Sequence, residues 1–145
     1  MKALLQRVTS ARVDVAGEAI AAIHHGLLVL VGIEPGDGTA EVERMARRLL
    51  GYRVFADAQG RMNHNVVQAG GGLLLVSQFT LAADTRSGLR PGFSTAAPPE
   101  QAEPLFEQLV ATLSARHQPV ARGRFGADMQ VHLVNDGPVT FLLEV

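Results

Sequence analysis

The sequence predicts an α+β fold in which mixed and antiparallel β-sheet, barrel-like and layered, is covered by two main helices within a single domain over residues 1–145. Three observations predict it. Strand-like apolar runs crowd the beginning and the end of the chain. Only two stretches carry the three-and-four-residue spacing of an amphipathic helix. No linker, repeat or low-complexity segment divides the 145 residues, a length that favours one domain with room for a proper core.

Ala3 to Val8 reads as a first strand, with Arg7 either on its solvent face or aimed into a site. Arg12 to Val15 alternates, Ala16-Gly17-Glu18 turns, and Ala19 to Ile23 returns as a hairpin with one buried face. Gly26 to Ile33 is a continuous β-rich run, as a central strand covered on both faces would be. After the Glu34 to Gly38 loop, Thr39 is expected to cap a helix striped by Val42, Met45, Ala46, Leu49 and Leu50. Glu41 and Glu43 sit near its positive end and Gly51 stops it. Arg44, Arg47 and Arg48 on its other side read as a solvated face.

Tyr52 to Phe55 is a short strand, Asp57 to Gly60 a turn, and Arg61 to Asn65 polar and irregular. Gly70-Gly71-Gly72 signals close backbone approach or a bulge before the apolar strand Leu73 to Val76. That strand runs straight into Ser77-Gln78-Phe79-Thr80-Leu81. Asp84 to Phe93 is a loop carrying Arg86 and Arg90. A second helix, from Pro98 or Pro99 to about Arg116, is striped by Ala102, Leu105, Phe106, Leu109, Val110 and Leu113. Pro104 inside it implies a start nearer Gln101 or a kink. Arg122-Gly123-Arg124-Phe125 leads to a final hairpin, Met129 to Val134 and Val139 to Val145, giving seven or eight strands in all.

Composition narrows the chemistry. A net charge of −1 leaves no global field for a general nucleic-acid or membrane binder, so contact with a polyanion needs a local patch. With no cysteine there is no disulfide, thiolate catalyst or cysteine-ligated metal. The start has no signal-peptide core, and Gly26 to Ile33 falls far short of the roughly 20 apolar residues of a membrane span. A soluble cytoplasmic protein is expected. His24 and His25 are adjacent, so on a strand they point to opposite faces, and no His-x-x-x-His spacing occurs. Neither a metal nor a cofactor is expected.

Two stretches remain. Ser77 to Thr80 is a polar cluster at the end of an apolar strand, where open sheets expose functional groups. Ser77 or Thr80 could serve as a nucleophile, although no histidine lies nearby in sequence. The alternative is a strand end that satisfies its own backbone. The second stretch, Asn135-Asp136-Gly137-Pro138-Val139-Thr140, has turn residues, but Pro138 removes a donor where a return strand should begin pairing. It is either a hairpin turn or a place where Gly137 and Pro138 present carbonyls to something.

Taken together, Leu5 to Val8, Gly51 to Arg53, Ser77 to Leu81, Arg90-Pro91, Gly126 to Met129 and Asn135 to Thr140 resemble D-aminoacyl-tRNA deacylases of the bacterial and eukaryotic type, essentially end to end. The resemblance implies a homodimeric hydrolase, a carboxylic ester hydrolase, that frees D-amino acids from the acceptor end of tRNA and also hydrolyses glycyl-tRNA mischarged on tRNA for alanine. It implies that Ser77, Gln78, Phe79 and Thr80 form the catalytic segment. Gly137-Pro138 is implied to be cis and to act as a chiral filter in the partner's site, supported by Arg7 and Asn135. Within that pattern, Arg7 is expected to hold the glycine carbonyl. Phe125, Met129, Arg122 and Arg124 are expected to contact the terminal adenosine and its phosphates. For catalysis, backbone N–H groups of Phe79 and Thr80 would bind the developing oxyanion while the substrate's ribose hydroxyl helps activate water; the competing mechanism makes Thr80 the nucleophile. Two other classes stay open: a nucleic-acid-binding module without catalysis and a small-molecule Ser/Thr esterase.

Overall fold

One fourteen-residue strand, β1 (Lys2–Val15), organises the sheet in the computed structural model, which describes residues 1–86 and 88–145. Around it lie β2 (Glu18–Ile23), β3 (Gly26–Gly32), β6 (Gly72–Ser77), β7 (Val120–Arg122) and β8 (Gln130–Glu144). The order is β2-β1-β3-β6-β7, with β8 also paired to β1. One edge of β1 pairs with β3 near its start and with β2 near its end, while β8 follows it from Lys2 to Asp14. The β3–β6 and β6–β7 pairs are parallel and the others antiparallel. The sheet is therefore mixed and curls nearly into a barrel. A separate small hairpin is made by β4 (Phe55–Ala56) and β5 (Met62–His64).

Both faces of the central strands are buried, and residue parity assigns each side chain. Ala3 and Leu5 of β1, Leu27, Val29 and Val31 of β3, and Leu73 and Leu75 of β6 face a core shared with helices α1 (Thr39–Gly51) and α2 (Pro99–Ser114). Leu28, Leu74 and Val76 face the other way, into a second cluster with Val8, Ala11, Val13 and Ile23. Alternation along β1 breaks between Val8 and Ser10, which oppose Asn135 and Val134. This bulge turns Ala11 and Val13 to the second cluster, where continued alternation would have exposed them.

Several expectations change. The first strand and the first arm of the hairpin are one strand. The final hairpin does not exist: β8 runs through Asn135 to Thr140 and resumes pairing with the same neighbour. Asn135 is opposite Val8 and Thr140 opposite Gln6, so Asp136 to Val139 loop out against Arg7 alone. Met62 to His64, read as irregular, pairs with β4, and the strand expected over Tyr52 to Phe55 begins only at Phe55. Gly38, not Thr39, caps α1; its N–H donates to Glu41 Oε2 at 2.9 Å and its carbonyl accepts from Val42. Pro104 lies inside α2, which continues from Pro99 to Ser114 without the hydrogen bond that an N–H at that position would have made. The glycine signal before β6 does mark close approach: a Cβ on Gly26 would stand 2.0 Å from the Gly72 carbonyl. No helix among the described residues is long and apolar enough to cross a membrane.

Candidate active site and the outward bulge of the last strand

At the end of β6 the chain turns out of the sheet into a short 3-10 turn, Phe79–Ala82. Gln78 holds the junction, its N–H donating to the Val31 carbonyl at 2.7 Å. The turn lies directly on β3 because Gly32 has no side chain; a Cβ there would meet Leu81 Cβ at 2.9 Å and the Gln78 carbonyl at 3.1 Å. The first N–H groups of a helical turn have no partner within it, and those of Phe79 and Thr80 meet no acceptor among the described residues. The Gln78 side-chain amide donates to the Thr80 hydroxyl.

Ser77, Gln78 and Phe79 line a cavity of about 780 Å³. Phe125 and Met129, far away in sequence, line it too. Phe125 rests on core residue Phe106, ring centroids 6.2 Å apart, so it is at once a packed aromatic and a cavity wall. Gly123 makes room for Met129, whose sulfur would lie 2.7 Å from a Cβ at that position. Thr80 follows the lining residues and is exposed. Arg122 and Arg124 instead line an adjoining depression with Glu103 and Glu107, and Arg122 is ion-paired to Glu107.

The cavity holds no histidine, lysine or cysteine among its described lining residues. His25 packs on Phe55, His117 bonds the Gly71 carbonyl, and His132 pairs with Asp14. Among the described residues no group of three or more His, Cys, Asp or Glu is placed to hold a metal.

The bulge on β8 is elsewhere. Gly137-Pro138 is cis, Gly137 has φ +127°, and both residues are exposed. Asn135 closes the loop at its neck, accepting from Val139 N–H at 3.1 Å and donating to the Thr140 hydroxyl at 2.9 Å. Arg7 supports it from below, but not through the glycine carbonyl. Its Nη1 donates to the Val54 carbonyl at 2.6 Å and its Nε to the Asp136 carbonyl at 3.2 Å. Arg7 is paired with Leu27 on β3 and Ser77 with Val31, four residues further along. At 3.3 Å per residue that is about 13 Å along the sheet, and the bulge contributes nothing to the lining of the cavity in its own chain.

Sequence reasoning missed Asp128, Phe93 and the Ala96 to Pro99 wall. Asp128 sits inside the Gly126 to Met129 segment and was within reach. Phe93 carried no signal, since a phenylalanine in a polar loop looks like any anchor. The cis Gln118-Pro119 bond was also unforeseen.

The model of the family described as D-Tyr-tRNA(Tyr) deacylase matches residues 4–144. The chain is 69% identical over 144 residues to a D-aminoacyl-tRNA deacylase of Azotobacter vinelandii and 66% identical to that of Pseudomonas paraeruginosa, covering 99% of each chain in both cases. Among solved structures it is similar to a protein described as "c-Myc DNA Unwinding Element Binding Protein", with TM-score 0.96, 44% identity and coverage of 100% of this chain and 99% of that one. A chain described as "a probable eukaryotic D-amino acid tRNA deacylase" shares the fold at TM-score 0.83 with 14% identity, covering 99% of this chain and 98% of that one. The chain belongs to the D-Tyr-tRNA(Tyr) deacylase family.

Proposed function

We propose that this protein hydrolyses the ester between a D-amino acid and the terminal adenosine of tRNA, and that it does so as a cytoplasmic homodimer. The observation that carries the reading is a cavity with unbonded backbone N–H groups at its mouth and no nucleophile–base pair among its described lining residues. An aminoacyl ester is already activated, so oriented donors and a bound water suffice. Water attacks the ester carbon, and the N–H groups of Phe79 and Thr80 stabilise the oxyanion. The carbon–oxygen bond to the ribose then breaks, and the proton lost by water ends on the ribose oxygen, the neighbouring hydroxyl assisting. Ser77 and Gln78 shape the turn that presents these donors. Thr80 acts through its N–H; its hydroxyl is engaged by Gln78 and is bonded to no base among the described residues.

Selection of one enantiomer needs a rigid obstacle on one side of the α-carbon rather than affinity for any side chain. Gly137 and Pro138 are that obstacle in our reading, offered by one protomer to the cavity of its partner. Support comes from their exposure, from the Arg7 and Asn135 contacts that fix them, and from their distance from their own cavity. D side chains then project to solvent, and glycine, having no side chain, is hydrolysed too, which extends the substrates to glycyl-tRNA mischarged on tRNA for alanine. Phe125 and Met129 receive the terminal adenine, and Arg122 and Arg124 lie beside it toward the phosphates.

One rival is nucleic-acid binding without hydrolysis; the 44%-identical structural neighbour is named for binding DNA. Deacylation of matched D- and L-tyrosyl-tRNA separates the readings. Fast release from the D ester alone is expected. Equal rates would remove chiral selection, and binding with no release would leave the rival.

A further inference from the structure

Two phenyl rings stand in water at the mouth of the cavity. Phe79 is 56% exposed and Phe93 45%, and their centroids are 5.1 Å apart with the planes tilted by 53°. Both are among the cavity's lining residues. Large apolar groups left this exposed, and in contact with each other, need a reason beyond core packing.

The chain also holds Phe93 firmly. Asp84 and Gly92 exchange both backbone hydrogen bonds, at 2.8 and 3.0 Å, just before it. Just after it, Ala96 N–H bonds the Phe93 carbonyl at 3.0 Å and the Thr95 hydroxyl donates to the Ala82 carbonyl. These contacts tie the Phe93 loop to the turn that carries Phe79, so the two rings form one fixed surface.

We propose that Phe79 and Phe93 form a stacking platform for the base of the nucleotide that precedes the terminal adenosine. The inference rests on the reading of the cavity as the adenosine site. A cavity of about 780 Å³ lies in the range that takes one small ligand. It accommodates the aminoacyl nucleoside, and the next nucleotide must leave through the mouth, past the two rings. Unpaired RNA bases are bound by stacking on aromatic side chains, whatever the base. Arg90, exposed on the same loop, gives the connecting phosphate a cation. A base at the mouth is continuous with the adenosine in the cavity, which makes it the favoured occupant over a second copy of the chain.

The test compares wild type, Phe93→Ala and Phe93→Trp on D-tyrosyl-tRNA, on the same tRNA lacking the penultimate base, and on the D-tyrosyl ester of adenosine alone. Removing that base should cost wild type about tenfold in kcat/KM. Phe93→Ala should lose about the same on intact tRNA, lose little further on the abasic tRNA, and lose far less on the adenosine ester than on intact tRNA. Phe93→Trp should restore the intact substrate. Full, additive losses on the abasic tRNA, or an equal loss on the adenosine ester, would overturn the platform. Dissociation of a Phe93→Ala dimer in ultracentrifugation would overturn it too, assigning the rings to a second copy. If wild type hydrolysed none of the esters, the functional reading would fail instead. Affinity of both proteins for intact and abasic RNA ends would then still decide the stack.

Discussion

The Nε of Arg7 donates to the main-chain carbonyl of Asp136 at 3.2 Å and lies 3.1 Å from that residue's carboxylate. Its Nη1 reaches the Val54 carbonyl at the same time. One largely buried side chain thus ties the bulge of β8 to the segment between α1 and β4. Arg7→Ala should cost about 2 kcal/mol, read as a fall in Tm of about 5 °C, and should raise hydrolysis of L-tyrosyl-tRNA. Arg7→Lys should not rescue rejection, because one ammonium cannot copy two donors at fixed angles. Unchanged rejection in Arg7→Ala would show that the bulge holds without it.

Thr80 separates the two catalytic schemes. If its N–H is what matters, Thr80→Ala keeps at least about a third of kcat on D-tyrosyl-tRNA. Loss of an oxyanion donor, by contrast, typically costs about 10²–10³ in kcat. Near-complete loss in a variant with an intact fold would make the hydroxyl a nucleophile.

Gly32 is the floor beneath the Phe79–Ala82 turn. A methyl group there stands 2.9 Å from Leu81 Cβ and 3.1 Å from the Gln78 carbonyl, so Gly32→Ala should cost about 1–3 kcal/mol through overpacking. Because the displaced atoms belong to the turn, kcat should fall at temperatures where the protein is still fully folded. A stability loss with unchanged kcat would place the N–H groups outside the chemistry.

The dependence of stability on pH should be one-sided. Hydrogen bonds from Arg86 hold Asp84 below the ordinary carboxylate range, the Arg61 N–H does so for Asp57, and Arg12 does so for Asp14. Burial pushes Glu34 up, but the N-terminal ammonium and Lys2 outweigh it, so it too lies low. A carboxylate with a depressed native pKa stabilises the fold above its unfolded value, near 4, and loses that contribution as the pH falls through its native value. Tm should therefore be level from pH 8 to 5 and fall below about pH 4. A fall beginning above pH 6 would point to a different titrating group.

How much of this was legible follows from what local patterns encode. Parity and spacing gave β3, β6 and both helices, because each buries a periodic face. The end of the chain misled, since Asn135-Asp136-Gly137-Pro138 has the composition of a turn. Whether such a segment reverses the chain or loops out depends on which strand the next residues pair with. Thr140 returns to β1, a partner some 130 residues away in sequence that no local pattern encodes. Likewise Ser77 to Phe79 were visible as a polar strand end. The Ala96 to Pro99 wall and Phe93 were not, because they join the cavity through the Ala97 to Ile33 hydrogen bond and the Thr95 clasp.

The central claim is that the filter of one protomer serves the cavity of the other, and a mixed dimer tests it. Gly137→Ala should spoil the filter, since at φ +127° its Cβ would stand 2.7 Å from Val139 Cγ2 and 3.1 Å from Arg7 Nη2. Its homodimer should hydrolyse L-tyrosyl-tRNA. Gly32→Val should disable the catalytic turn while leaving the filter whole. A heterodimer with one variant in each protomer then joins the sound cavity of the first to the sound filter of the second. The account predicts hydrolysis of D-tyrosyl-tRNA at about half the wild-type rate, with L-tyrosyl-tRNA rejected as in wild type. Hydrolysis of the L ester by that heterodimer, at the rate per intact cavity of the Gly137→Ala homodimer, would contradict it.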